Sequence, residues 1–415
     1  MQMKNPPTWC HRLASAALLL LLAACATPPP SPPSSPFEQD VIEATEGLVG
    51  QWRSNTPGRL RWPASPLALG PFIDLSAASS GQGSGFARPQ TVAAAKTRQT
   101  VARYLETALP EFKLVPAEST ATQADLLLSA SLIPFVTPAG QPKESASTQP
   151  TLMLTLVLLD LKTSRIVARW QSPLRSQPTD ANPTPFDAES PVLFNQTPTE
   201  TDTRLFGAPV NTGIDADTIR GTIGLAQLNQ AQEAYATGRY TKALALFQDV
   251  SKQSPALALR AANGEYLSYL KLGQPEAARQ AFKRVVGAGI ASRRLAVKLL
   301  FTPGETTFWA DPEVSGAYGF WLQEISAQAA AAPACLEIAG HTSHTGEKAF
   351  NQGLSLARSE RVRQIMQAAQ PGLSGRLLAS GKGWSENIVG SGSDAARDAI
   401  DRRVEFKIAD CPAKR

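Results

Sequence analysis

The chain is poor in the residues that most often carry chemistry: 415 residues include three histidines, four cysteines and four methionines, and only 18% are charged. A structural or catalytic metal centre ordinarily draws several ligands from His, Cys and carboxylates. His11 lies in the leading segment, which leaves His341 and His344 on either side of an expected turn with no third ligand in reach of the pattern. Neither stands beside a serine or cysteine in a triad arrangement. The glycine-rich "GKGWSENIVG" also lacks the Gly-Lys-Ser/Thr ending of a phosphate loop. No enzyme, metal or cofactor is expected. The shortage of charge excludes a second class, because a net charge of +5 and a pI near 9.0 fall short of the clustered basic stripe that nucleic-acid binding needs. Nucleic acid is not an expected partner. Beyond Cys25 there is no apolar run long enough to cross a bilayer of roughly 30 Å as a helix.

What is present begins with a basic head, Lys4 and Arg12, followed by "LASAALLLLLAAC". That apolar run is too short to span a membrane but suits the h-region of a signal peptide. Its small residues lead directly into Cys25, and this ending resembles the lipobox of bacterial lipoproteins. The resemblance implies a signal peptide over 1–24 and acylation of Cys25, which becomes the mature N-terminus anchored in lipid. Ala26 in place of Asp implies the outer membrane, with the rest of the chain at its periplasmic face. The Pro/Ser segment "ATPPPSPPSSP" then reads as an extended tether over 25–36, at about 3 Å per residue. Cys10 leaves with the signal peptide and Cys25 takes lipid, so Cys335 and Cys411 are the pair left for a disulfide in an oxidising compartment.

Proline-rich stretches divide the remainder into three blocks. The first, 37–176, alternates strand and helix signals: "PFIDLS", a helix over Thr91–Leu109, "FKLVP", "ADLLLSASLIPF", and a hairpin within Thr151–Trp170 turning at Lys162-Thr163-Ser164. An α/β layer with a mostly antiparallel meander is expected. The order resembles the periplasmic domains of the CsgG, FlgO and LpoB type, which implies binding or assembly. Residues 177–213, rich in Pro, Thr and Asn, read as a flexible connector.

The second block, 214–298, reads as all-helical. Aligning "AQEAYATGRYTKALALFQDVSKQSP" with "NGEYLSYLKLGQPEAARQAFKRVVG" superposes Gly238 on Gly273, Ala243 on Ala278, Phe247 on Phe282 and Val250 on Val285. With Tyr240 and Pro255 also in place, this resembles tetratricopeptide repeats, whose stacked helix pairs imply an envelope protein partner at that block.

The third block, 299–410, reads strand, helix, strand, helix, strand and a final "AARDAIDRRVEFKI", an α/β sandwich. Along it stand Gly340-His341-Thr342, Gly346, Asn351, Leu354-Ser355-Leu356-Ala357-Arg358, Val362, Gly381, Gly383 and Arg402-Arg403-Val404-Glu405-Phe406. These resemble the OmpA/MotB C-terminal peptidoglycan-binding domain. The resemblance implies a site for diaminopimelate-containing wall peptide among Thr342, Ser343, Asn351, Leu354, Ser355, Arg358, Asp401 and Arg402. On a helical stripe with Leu354, Val362, Ile365 and Ala369, the Arg358 guanidinium is the expected fork for a ligand carboxylate. The chain departs from the family twice. Ser343 stands where an aspartate would take the ligand ammonium, so half of that clamp is missing. Asp401 stands where Asn is usual, and either serves the ammonium or pairs with Arg358. The expected whole is a peptidoglycan-binding outer-membrane lipoprotein that scaffolds envelope partners. The alternative is a regulatory or assembly factor for a wall synthase or secretion machine that the third block merely localises.

Overall fold

A computed structural model describes residues 35–56, 63–75, 92–116, 119–135, 152–175, 184–193, 200–293, 295, 297–388, 390, 392 and 396–411. The expected signal peptide, Cys25 and the expected tether up to residue 34 lie outside the described residues, as do 177–183 and 194–199 of the expected connector. None of the described helices is long and apolar enough to cross a membrane.

Helix α1 (Pro36–Asn55) starts where the tether was expected to end. The Ser35 hydroxyl accepts from the Glu38 N–H at 3.3 Å and Pro36 occupies the first turn, which together make an N-terminal stop signal. Phe37, Val41, Ala44, Leu48 and Trp52 then form one buried stripe.

That stripe packs on a five-stranded sheet of β1 (Ser65–Asp74), β2 (Phe112–Val115), β3 (Leu126–Pro134), β4 (Leu152–Asp160) and β5 (Arg165–Leu174), in the order β2-β1-β3-β4-β5. Only β3, β4 and β5 are the antiparallel meander expected; β1 runs parallel to both β2 and β3. The cause is α2 (Val92–Ala108), which carries the chain back across the face before β2, as a parallel pairing requires. At the β4–β5 hairpin the Asp160 carboxylate accepts from the N–H groups of Lys162 and Thr163. Ser164 closes the turn at φ 54°. Helices α1 and α2 cover one face.

The opposite face is covered in part by residues expected to be a connector. Of the stretch 177–213, the described part holds α3 (Pro185–Glu189) and α4 (Glu200–Gly207). Phe186, Val192, Leu193, Leu205 and Phe206 are buried within this stretch, the first two in the core of the helices that follow. Leu205, Phe206 and Ile214 lie against Leu127, Val157 and Ile166 of the sheet. A polar, proline-rich composition conceals five apolar anchors.

Four helices follow: α5 (Ala216–Ala236), α6 (Tyr240–Gln253), α7 (Ala258–Lys271) and α8 (Pro275–Ala291). Gly238 and Gly273 adopt φ +75° and +68° just beyond α5 and α7, the left-handed stop that glycine takes without a Cβ penalty. The two hairpins thus turn alike. Helix α5 serves two cores: Ile219 and Ile223 pack toward the sheet, while Leu228, Ala231, Ala234 and Tyr235 pack among the hairpins.

The last block contains β6 (Lys298–Leu300), α9 (Tyr318–Ala331), β7 (Cys335–Gly340), α10 (Lys348–Ala369), β8 (Leu377–Gly381) and β9 (Arg403–Ala409), with strand order β6-β9-β7-β8. Its core is continuous with that of the hairpins. Phe282 of α8 stacks on Trp321 of α9 with centroids 5.4 Å apart, and the Trp321 indole N–H donates to the Tyr266 hydroxyl of α7 at 3.0 Å.

Candidate functional site

Helix α10 presents Asn351, Ser355, Arg358, Ser359, Val362 and Met366 to the sheet. This stripe is rotated from the expected one: Arg358 and Val362 keep their places, Leu354 and Ile365 are half-buried, and Ala369 is exposed. The helix can approach so closely because Gly340 and Gly381 lie beneath it. A Cβ at Gly340 would sit 1.9 Å from the Ser355 carbonyl oxygen, which no side chain permits.

Arg358 has no exposed surface. Its Nε donates to the carbonyl of Glu305 at 2.8 Å, Nη1 to that of His341 at 3.0 Å and Nη2 to that of Thr302 at 2.8 Å. The guanidinium carbon lies 5.2 Å from the centre of the Phe301 ring. Burying a guanidinium costs several kcal/mol, roughly, unless its donors are met. Here main-chain carbonyls meet them, tying the turn after β6 to the end of β7.

The other expected residues gather around the same strand end. The Thr342 N–H donates to the Gly383 carbonyl at 2.9 Å, while its buried hydroxyl has no hydrogen-bond partner among the described residues. Ser343 is 5% exposed and its hydroxyl lies 3.4 Å from that of Thr345. The Asn351 amide donates to the carbonyls of Thr345 and Glu347 at 2.7 and 3.1 Å. The Ser355 hydroxyl accepts from the Gly383 N–H at 2.9 Å and donates to the Gln352 carbonyl at 3.0 Å. Asp401, expected to face a ligand ammonium or Arg358, accepts from the N–H groups of Ile388 at 2.5 Å and Gly390 at 2.8 Å. It pins the loop before β9. The buried Arg402 guanidinium lies 5.5 Å from the Trp309 ring centre. Leu354 stands on the outer flank of the stripe, so it is the member least drawn into this cluster.

A charged layer missed by the sequence reading lies beside them. His341 Nε2 is 3.3 Å from Glu405 Oε1, and Glu405 Oε2 accepts from Arg403 Nε at 3.2 Å. Lys407 bridges to Glu386 at 3.1 Å. Burial, then Arg403, pushes His341 down to about 4. Burial pushes the Glu405 carboxyl up, but Arg403 and then His341 outweigh it and hold it at about 2. His341, Glu386 and Glu405 bring potential ligand atoms within 4.8 Å of one another, so His341 does have carboxylates in reach, contrary to expectation. Arg403 and Lys407 already supply the positive charge that a cation would bring. The signal was present in the alternation of β9, where Arg403, Glu405 and Lys407 share the face opposite Val404 and Phe406.

Cys335 and Cys411 form a disulfide, with Cα atoms 5.0 Å apart. Cys335 pairs with Ala409 in the antiparallel β7–β9 ladder, which brings the two cysteines together.

Residues 300–401 match the OmpA family. This OmpA-family domain contains every residue expected in the wall-peptide site except Arg402, the next residue beyond the match. The chain is also similar to outer membrane porin F of Pseudomonas fluorescens, at 38% identity over 74 residues, which are 18% of this chain and 22% of that protein. It therefore spans about a fifth of the length of that relative. Among solved structures it is similar to the peptidoglycan-associated lipoprotein from Burkholderia pseudomallei, at 22% identity over 27% of this chain and 89% of that one, TM-score 0.24. It is also similar to the cell wall anchor of the T6SS from Pseudomonas aeruginosa, at 21% identity over 31% and 95% of the two chains, TM-score 0.24.

Proposed function

We propose that this protein is an outer-membrane lipoprotein, anchored through Cys25, that binds peptidoglycan non-covalently through its OmpA-family domain and scaffolds envelope proteins through the other two blocks. The observation that carries the reading is the match over residues 300–401, with the Gly340-His341-Thr342 strand end and the Leu354–Arg358 helix in place. The wall-peptide site comprises Thr342, Ser343, Asn351, Leu354, Ser355, Arg358, Asp401 and Arg402. For Arg358 to fork a ligand carboxylate, it must exchange carbonyl bonds at Thr302 and Glu305 for the ligand. Binding is therefore coupled to movement of that turn. Ser343 offers a hydroxyl to the ligand ammonium without a countercharge. The α5–α8 hairpins, read as tetratricopeptide-like repeats, are the block that serves protein partners.

Co-sedimentation of the folded chain with purified peptidoglycan tests this. Wild type is expected to pellet, and Ser343→Asp to bind more tightly by roughly 1–3 kcal/mol, the value of one charge-assisted contact. Absence of binding by both would leave the domain as a fold without that ligand.

A further inference from the structure

One face of the α5–α7 helices already carries a segment of this chain. Residues 184–193, "TPFDAESPVL", lie on it as a bound peptide would. Thr184 caps the short helix α3 by accepting from the Asp187 N–H. The Phe186 ring is buried, edge-on to Tyr235 of α5 and stacked on Phe247 of α6, each with centroids 5.5 Å away. Three residues on, the Glu189 carboxylate accepts from the Tyr235 hydroxyl and from the Lys271 ammonium of α7, the latter at 3.0 Å. Ser190 accepts from the Asn263 amide of α7 at 3.1 Å. The segment then reaches the C-terminal sheet, where the Pro191 carbonyl accepts from the Lys298 N–H at 2.8 Å and Val192 bridges antiparallel to Val297.

Each contact reads a side-chain type at a fixed offset: an aromatic ring in a slot, a carboxylate at +3 met by a phenol and an ammonium, and a hydroxyl at +4 met by an amide. Phe247, on which the ring stacks, is itself packed against Gly264, where a Cβ would meet it at 2.3 Å. We propose that this face of α5, α6 and α7 is a peptide-recognition site whose ligand in cis is residues 184–193. A partner segment enters only by presenting the same aromatic, acidic and hydroxyl pattern in competition with it. The inference is independent of peptidoglycan binding.

The test uses the full chain with a protease site inserted after Gln177 and another after Gln196, cut once folded. The probe is a labelled peptide of sequence TPFDAESPVL. The uncut chain is expected to bind none of it. The cut chain exchanges its own segment for one peptide per molecule, and replacing the peptide glutamate by alanine, or Lys271→Ala in the chain, weakens binding about tenfold. Equal binding of a scrambled peptide, or loss of the cut segment with no peptide uptake, overturns the proposal. The uncut double variant Phe186→Ala/Glu189→Ala gives a second reading. It is expected to take up the peptide, or, if it loses helix content, to regain it when the peptide is added. A variant that does neither also overturns the proposal.

Discussion

Arg358 ties its helix to two other segments through three main-chain carbonyls, those of Thr302, Glu305 and His341. From sequence, its removal looks harmless to the fold, as the loss of a charge from an apolar stripe. The geometry reverses that expectation, because Arg358→Ala strands three carbonyls, that of His341 in a buried site. Urea melts should show a loss of about 2–4 kcal/mol. Arg358→Lys should recover only part, since an ammonium cannot span the three acceptors as a planar fork does. An unchanged midpoint for Arg358→Ala would mean that the turn at 302–305 opens and rehydrates. A second expectation at this scale concerns acid. His341, with Glu405, Arg403, Lys407 and Glu386 around it, is held neutral and down at about 4 in the folded protein. Its unfolded form takes up a proton near its ordinary value of about 6.5, so stability falls as pH drops from there toward 4. Glu405, held at about 2, extends the loss as pH drops below its ordinary value of about 4.3. Melting temperatures across this range should decline, and His341→Gln should flatten the upper part of the decline. The position of Arg358 on its helix was legible, because periodicity locates a face. Its partners were not, because main-chain carbonyls from distant segments leave no trace in side-chain identity.

At the scale of elements, strands and helices with strong periodic signals lay close to where the sequence placed them, and the misses have physical causes. Helix α1 abuts the proline-rich stretch, whose composition masks the start signal of Ser35 and Pro36 and the Phe37–Trp52 stripe. The parallel pairing of β1 with β2 and β3 depends on how α2 crosses the sheet, which local propensity does not encode. The disulfide was reachable by elimination of the other cysteines. It links positions 76 residues apart, and Cys335→Ser/Cys411→Ser should lower stability by roughly 2–5 kcal/mol. Denaturation of the protein with and without reductant measures this directly. A coincident pair of curves would mean that β7 and β9 hold this corner without it. Gly264 shows the same logic in packing: Gly264→Ala collides with Phe247. Overpacking of this kind costs about 1–3 kcal/mol, visible as a lower melting temperature with the helix content kept.

The molecule as a whole departs most from the sequence reading, which divided it into modules joined by a connector. Phe186, from that connector, is wedged between Tyr235 and Phe247. Phe282 and Tyr266 of the hairpins meet Trp321 of the OmpA-family domain, and helix α5 packs into two cores at once. Deleting 229–287 looks, from sequence, like removal of one module that leaves wall binding intact. With these contacts it instead strips Trp321 of its stacked partner and leaves Phe186 without its slot. The milder variant Phe282→Ala removes the central ring from this seam and should cost about 3–5 kcal/mol. If the hairpins and the OmpA-family domain are one cooperative unit, amide exchange should accelerate on α10 and β7 as much as on α7 and α8, although α10 and β7 are remote from the substitution in sequence. Acceleration confined to α7 and α8 would instead mean that the seam is an interface between two units that open separately. The domain would then survive deletion of the hairpins as a free peptidoglycan-binding module.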